Sequence, residues 1–225
     1  MNILALDTST AVASVAVLED EESMCEITTG LQKSHSEMLI SIVDHALAMA
    51  GLELKDINLV AVGRGPGSFT GIRIGIATAE GMARAINSPV VGVCTLDALA
   101  YNACPQEIQI IPVMDARKRE VFCSIYSPKG EQLSPYYNLR PEDIRHICSK
   151  DSLFIGDGLM PYSAVLENSL GKLFHKGPRA LWFPRAYTIG LLAMKGRIDG
   201  QGPVQPIYVR ASDATLLLKD KGKNK

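Results

Sequence analysis

The sequence predicts a duplicated α/β fold, two lobes that each carry a mixed sheet with flanking helices. A chain of 225 residues is long for one core and comfortable for two of roughly 110 residues each. A β-hairpin pattern opens the chain and returns 108 positions later, with Asp115 falling on Asp7. Helical and strand patterns alternate after each hairpin, as an α/β architecture requires.

The elements follow in order. Ile3–Asp7 and Ala11–Leu18 are apolar β-type runs around a polar turn that begins with Asp7, and an acidic turn, Glu19–Glu22, follows. Ser34-His35-Ser36-Glu37 is a capping box that starts a helix running to Ala50, with Gly51 as its stop. Ile57–Gly63 reads as a short buried strand. The glycine-rich turn Gly63–Gly71 opens a second helix that ends near Asn87, before Pro89. Val90–Cys94 is the next strand, and Thr95 is placed to cap a short helix over Leu96–Ala103. The second hairpin pairs Ile110–Asp115 with Val121–Tyr126. It leads to a helix after Pro141, a strand at Leu153–Gly156 and a helix over Pro184–Lys195. A Pro/Gly-rich stretch, Gly200–Pro203, precedes Pro206-Ile207-Tyr208-Val209-Arg210, and the lysine-rich end, Lys219–Lys225, reads as disordered. Hairpin, helix, strand, helix in each half is the pattern of a duplicated actin-like, sugar-kinase-like (ASKHA) fold, with lobes over 1–107 and 108–225. In that fold a nucleotide lies between the lobes, and an Asp-bearing turn from each lobe approaches its phosphates.

Composition narrows the function. Lys and Arg total 23 against 24 Asp and Glu, so the net charge of −1 excludes nucleic-acid binding by bulk charge and leaves only local basic patches. With 47% hydrophobic residues the chain has the apolar material for a folded core. It has no apolar run of membrane-spanning length and no signal-peptide pattern at Met1–Asp7, which predicts a cytoplasmic protein. The 5 cysteines show no C-x-x-C spacing and the 4 histidines are scattered, so neither a disulfide framework nor a local zinc site is expected.

The turn Gly63–Gly71 is the most informative stretch. It lacks the Lys-Ser/Thr of a Walker A loop and fails G-x-G-x-x-G, because Thr70 stands where the last glycine would be. It reads either as an anion-holding helix start or as a tight strand-to-helix turn. In the helix beyond it, Gly71, Gly75 and Ala79 form a smooth ridge, Ile72, Ile76 and Ala83 an adjacent strip, and Ile74, Ala77, Gly81 and Ala85 a third. The first helix carries Leu39, Val43, Ala46 and Ala50 on one strip and Met38, Ile42, His45 and Met49 on another. Helices this apolar need cover on most faces, from a partner subunit or from a deep three-layer domain. Arg117-Lys118-Arg119 is either a phosphate contact for RNA or a solvated loop.

Asp7-Thr8-Ser9-Thr10 together with Gly63, Arg64, Gly65, Pro66, Gly67, Ser68, Phe69, Thr70, Gly71, Ile72, Arg73, Ile74 and Gly75 closely resembles the family of the bacterial tRNA threonylcarbamoyladenosine biosynthesis protein TsaB, also called YeaZ. Asp115-Ala116-Arg117 and Pro206–Arg210 extend the resemblance over nearly the whole chain. It implies a role in placing threonylcarbamoyl on the adenosine next to the anticodon in tRNAs that read codons beginning with A. In the family a paralogue, TsaD, catalyses the transfer, TsaB is its required non-catalytic partner, and an ATPase, TsaE, completes the assembly. The contact with TsaD is made by helices of the N-terminal lobe. This marks Met38, Ile42, His45, Met49, Gly71, Ile72, Gly75, Ile76 and Ala79 as candidate interface residues.

The residues themselves point to a chain without its own catalysis. TsaD follows its glycine loop and helix with a His-x-x-x-His metal pair, whereas Gly92–Leu99 contains no histidine. Neither Asp7 nor Asp115 is followed by the glycine that brings backbone to a phosphate, so both read as vestigial turn residues. No cofactor is expected on this chain alone; ATP, ADP and metal are expected on partner subunits. Uncovered helices predict a homodimer in isolation, and near-neutral charge predicts that tRNA is held mainly by other subunits. The competing reading, drawn from the paired Asp turns, is a stand-alone actin-like ATPase or kinase.

Overall fold

The computed structural model describes residues 1–30, 35–196 and 203–210. Ser34 of the expected capping box, residues 200–202 of the Pro/Gly stretch and the lysine-rich end lie outside them.

The first hairpin pairs β1 (Asn2–Asp7) with β2 (Val12–Glu19), in register from Asn2 opposite Glu19 to Asp7 opposite Ser14. The expected acidic turn shrinks to Asp20 and Glu21, and β3 (Glu22–Gly30) pairs antiparallel with β2 beyond it. Helix α1 (His35–Ala50) leads to β4 (Leu59–Gly63), which lies parallel to β1. Helix α2 (Phe69–Ala85) then leads to β5 (Val90–Val93), parallel to β4, so the sheet order is β3-β2-β1-β4-β5. Alternation along β1 and its neighbours decides what covers each face. Leu4, Leu6, Val15, Val17, Val60 and Val62 face α1 and α2, while Ile3, Ala5, Ala16, Leu18, Leu59 and Ala61 face away from them.

Helix α3 (Thr95–Asn102) leads into the second sheet. Thr95 is its first turn rather than its cap: Cys94 precedes the helix, and the Thr95 hydroxyl is engaged elsewhere. The sheet is built from β6 (Gln109–Asp115), β7 (Val121–Cys123), β8 (Tyr137–Leu139), β9 (Ser152–Ile155) and β10 (Phe174–Lys176). Its order, β10-β9-β6-β7-β8, is that of the first sheet strand for strand, read from the other end. This matching order bears out the duplicated fold. The second hairpin is shorter than Val121–Tyr126 because Ser124 and Ile125 leave the ladder to bond Ser134, and pairing resumes only at Tyr126 opposite Ile110. The segment after Pro141 is a 3₁₀ turn, Pro141–His146, and α4 (Leu159–Leu170) is a helix without a counterpart in the sequence expectations.

Two helices cross between the sheets. Helix α3 comes from the first half, yet Leu96, Leu99 and Ala100 pack on Ile110, Met114, Phe122 and Ile155 of the second sheet. Its Asp97 carboxylate accepts the Tyr126 hydroxyl at 2.6 Å and the Tyr136 hydroxyl at 3.0 Å. Helix α5 (Ala186–Met194) comes from the second half, and Ala186, Ile189, Leu192 and Ala193 cover the open face of the first sheet. Among the described residues, no helix is long and apolar enough to cross a membrane.

Helix α5 is apolar nearly all round because it is enclosed nearly all round. Ile189→Ala, at a position with no exposure, is expected to cost about 2–5 kcal/mol by urea unfolding. A loss below 1 kcal/mol would mean that the first sheet does not depend on this helix.

Candidate functional site

The Asp7 turn stands at the carboxyl end of β1, the turn expected from the sequence to face the cleft between the lobes. Here Asp7 is 1% exposed. Its Oδ1 accepts the Ser9 amide at 2.9 Å and the Ser9 hydroxyl at 2.7 Å, and its Oδ2 accepts the Thr95 hydroxyl at 3.3 Å. Burial pushes the carboxyl above its ordinary pKa, and the Ser9 and Thr95 hydrogen bonds oppose that shift.

The glycine loop is folded down onto this turn. The Ser68 amide donates to the Ser9 carbonyl at 2.7 Å, the Thr8 hydroxyl donates to the Gly71 carbonyl at 2.7 Å, and the Gly65 amide donates to the Thr95 hydroxyl at 3.2 Å. A Cβ at Gly63 would overlap the Asp7 carboxylate, one at Gly67 the Ser9 carbonyl and one at Gly71 the Thr8 carbonyl. Close approach of chain to chain is therefore what these glycines permit. Ser68 caps α2 by accepting the Gly71 amide at 3.2 Å. Thr70 is exposed at the helix start. The first half's turn and loop fill the space in front of Asp7 with their own backbone.

The second turn is built differently. Asp115 is only partly buried; its amide donates to Asp157 Oδ1 at 3.1 Å. Asp115 Oδ1 accepts the Arg117 amide at 2.8 Å and Oδ2 pairs with the Arg117 guanidinium at 3.0 Å. Burial, reinforced by the Asp115 charge and opposed by Arg117, pushes the Asp157 carboxyl up to about 6. Arg117, Lys118 and Arg119 all hold positive φ, at +61°, +54° and +61°. Side chains in this region cost about 1–2 kcal/mol each. Among the described residues, no three His, Cys, Asp or Glu side chains converge as metal ligands.

The candidate interface residues divide. Gly71, Ile72, Gly75, Ile76 and Ala79 are buried in the first half's own core, Ile76 at 7% exposure, so this face of α2 is not available to a partner. The smooth ridge does admit another backbone, but that backbone is the Thr8 turn of the same chain. Ile42 is likewise buried at 9%. Met38 (40% exposed), His45 and Met49 (72%) do face outward on α1, joined by Ile40. On α2, beyond Phe69 exposed at the helix start, the exposed apolar residues belong to the third strip, Ala77, Gly81 and Ala85, with Ile74 half-buried. Periodicity finds the strips, but only the packed sheet decides which strip turns inward.

A clasp at the start of α2 completes the site. Arg73 lies 3.8 Å from the Phe69 ring centroid and donates from Nε to the Tyr208 hydroxyl at 2.9 Å, while Phe69 and Tyr208 stack at 5.1 Å. Phe69 and Arg73 stand four apart, the helical spacing that marks such a pair in sequence; Tyr208 carries no such signal. The strap 203–210 that brings it is pinned to the first half by Val204 to Glu80 (3.0 Å) and Ile207 to Arg64 (2.8 Å). Arg210 pins it to Glu120 of the second half at 2.8 Å.

Comparison with known proteins identifies related sequences and folds. Residues 28–214 match the family described as TsaD, tRNA N6-adenosine threonylcarbamoyltransferase. The chain is 30% identical to the tRNA threonylcarbamoyladenosine biosynthesis protein TsaB of Bacillus subtilis, over 95% of this chain and 96% of that protein. The TsaB protein of Haemophilus influenzae is 31% identical, over 93% of this chain and 94% of its own length. The solved structure of YeaZ from Pseudomonas aeruginosa superposes with a TM-score of 0.75 at 27% identity, covering 92% of this chain and 100% of that one.

Gly71→Ala is expected to lower stability by about 1–3 kcal/mol in thermal or urea unfolding, since the added methyl meets backbone that cannot swing away. A neutral effect would show that the loop is free to lift. For Asp157, whose folded pKa lies above its ordinary one, the folded state holds the extra proton between about pH 4 and 6. Stability therefore falls as pH rises through that window, by about 3 kcal/mol. Asp157→Asn keeps the acceptor for the Asp115 amide and removes the titration. The stability difference between variant and wild type should grow from pH 4 to pH 6 and then level off; a constant difference would contradict the assignment.

Proposed function

The chain belongs to the TsaB family of tRNA threonylcarbamoyladenosine biosynthesis proteins, and from that premise we propose that it is the non-catalytic subunit that scaffolds a TsaD-type threonylcarbamoyltransferase. The modification made is threonylcarbamoylation of the adenosine next to the anticodon in tRNAs reading codons that begin with A. A TsaE-type ATPase completes the assembly, and ATP or ADP and metal belong to those partners. In isolation the chain pairs with a second copy of itself.

The observation that carries this reading is the exposed apolar side chains of the two outer helices: Met38 and Met49 on the β3 edge of α1, Ile40 on its other edge, and the strip Ala77, Gly81 and Ala85 on α2. Small residues on one helix and flexible methionines on its neighbour suit close docking of a partner's helices. Supporting it, both Asp7 oxygens accept hydrogen bonds from within the chain, which favours a structural role for that carboxyl over a magnesium nucleotide.

Met49→Glu and Ala77→Glu place charge on this surface at exposed positions and should leave circular dichroism unchanged. Each is expected to abolish co-elution with a TsaD-type partner in size-exclusion chromatography. Retained co-elution by both folded variants would remove this face from the reading. Ile76→Glu is not an equivalent test, because it places a charge in the core. Calorimetry of the chain alone with ATP and magnesium should give no heat; binding with turnover would favour a stand-alone ATPase instead.

A further inference from the structure

The turn after β6 keeps three cationic side chains in a conformation that glycine would hold without strain. The matching turn after β1 closes with no positive φ at all, so the strained form is not demanded by the architecture. Arg117, Lys118 and Arg119 are all exposed, so burial does not account for their retention. The turn is held from within: the Ala116 amide donates to the Glu120 carbonyl and the Glu120 amide to the Arg117 carbonyl, both at 3.0 Å. Asp115 fixes the first cation through its two contacts with Arg117. At the base of the hairpin Glu120 is met by Arg210 at 2.8 Å, with Arg140 contributing to the same field. The result is a cationic tip on a braced stem, in a chain whose net charge is −1.

We propose that this turn is a contact for the phosphodiester backbone of RNA, with Lys118 and Arg119 meeting phosphates and Arg117 bracing the loop that presents them. The inference rests on the reading that the chain works on tRNA within an assembly. The tip offers point charges without an exposed aromatic or aliphatic side chain of its own, which suits phosphate rather than a base or an apolar peptide. Such a contact positions RNA without reading its sequence, and it is compatible with other subunits holding most of the tRNA.

The test is fluorescence anisotropy of a labelled, unmodified tRNA transcript, titrated with the chain alone and with the chain plus a TsaD-type partner. The paired substitution Lys118→Gln with Arg119→Gln should weaken binding on the order of tenfold and make the plot of log affinity against log salt shallower by about 1–2. Arg119→Gly is the discriminating variant. Relief of strain should raise its melting temperature while its RNA affinity falls. Unchanged affinity and salt slope in these variants would overturn the proposal. So would loss of partner co-elution with RNA binding by the chain alone intact, which would make the turn a protein contact. Failure of the wild-type chain to associate with the partner would instead overturn the assembly reading, and the titration of the chain alone would still decide the phosphate contact.

Discussion

A carboxylate taken out of water sets the terms for the first half of this molecule. Asp7 ends β1 with almost no exposure, so its oxygens must find donors inside the chain. Ser9 supplies two and Thr95 a third, which ties the start of α3 to the first turn. The chain can close over that network only where side chains are absent, at Gly63, Gly67 and Gly71. The loop then delivers α2 with Ser68 as its cap and with Ile72 and Ile76 turned to the sheet. Which residues α2 leaves outside follows from that orientation. The scaffold reading thus depends, through a short chain of contacts, on how one buried carboxyl group is satisfied.

The same position in the second half is solved by a different chemistry. Asp115 keeps some exposure and answers its charge with Arg117, while Asp157, not a glycine loop, takes its amide. One half of the duplication has become a packed joint and the other an exposed, charged hairpin. Sequence offset alone treats the two turns as equivalent; the surroundings make them opposites.

Much of the architecture was legible in the sequence because it rests on local pattern. The hairpins, α1, α2, β4, β5 and α5 each follow from periodicity bounded by glycine or proline. The misses share a physical cause. Strand β3 is an edge strand with a polar face, and β8 and β10 are three residues each, so none carries the apolar run that marks a buried strand. Thr95 stands where a cap would, but its hydroxyl is drawn to Asp7, a partner 88 residues away. The candidate surface shows the same limit: the strips on α2 are visible from spacing, whereas their rank depends on Leu6 and Val62 beneath Gly75. Tyr208 reaches Arg73 across 135 residues, and no spacing rule announces it.

The exchange of α3 and α5 has a consequence for how the two halves depend on each other. Each sheet has one face covered by a helix from the opposite half. Separating the halves would strip that cover from both sheets at once and expose apolar faces to water. The two lobes are therefore one cooperative unit, and neither is a self-sufficient domain.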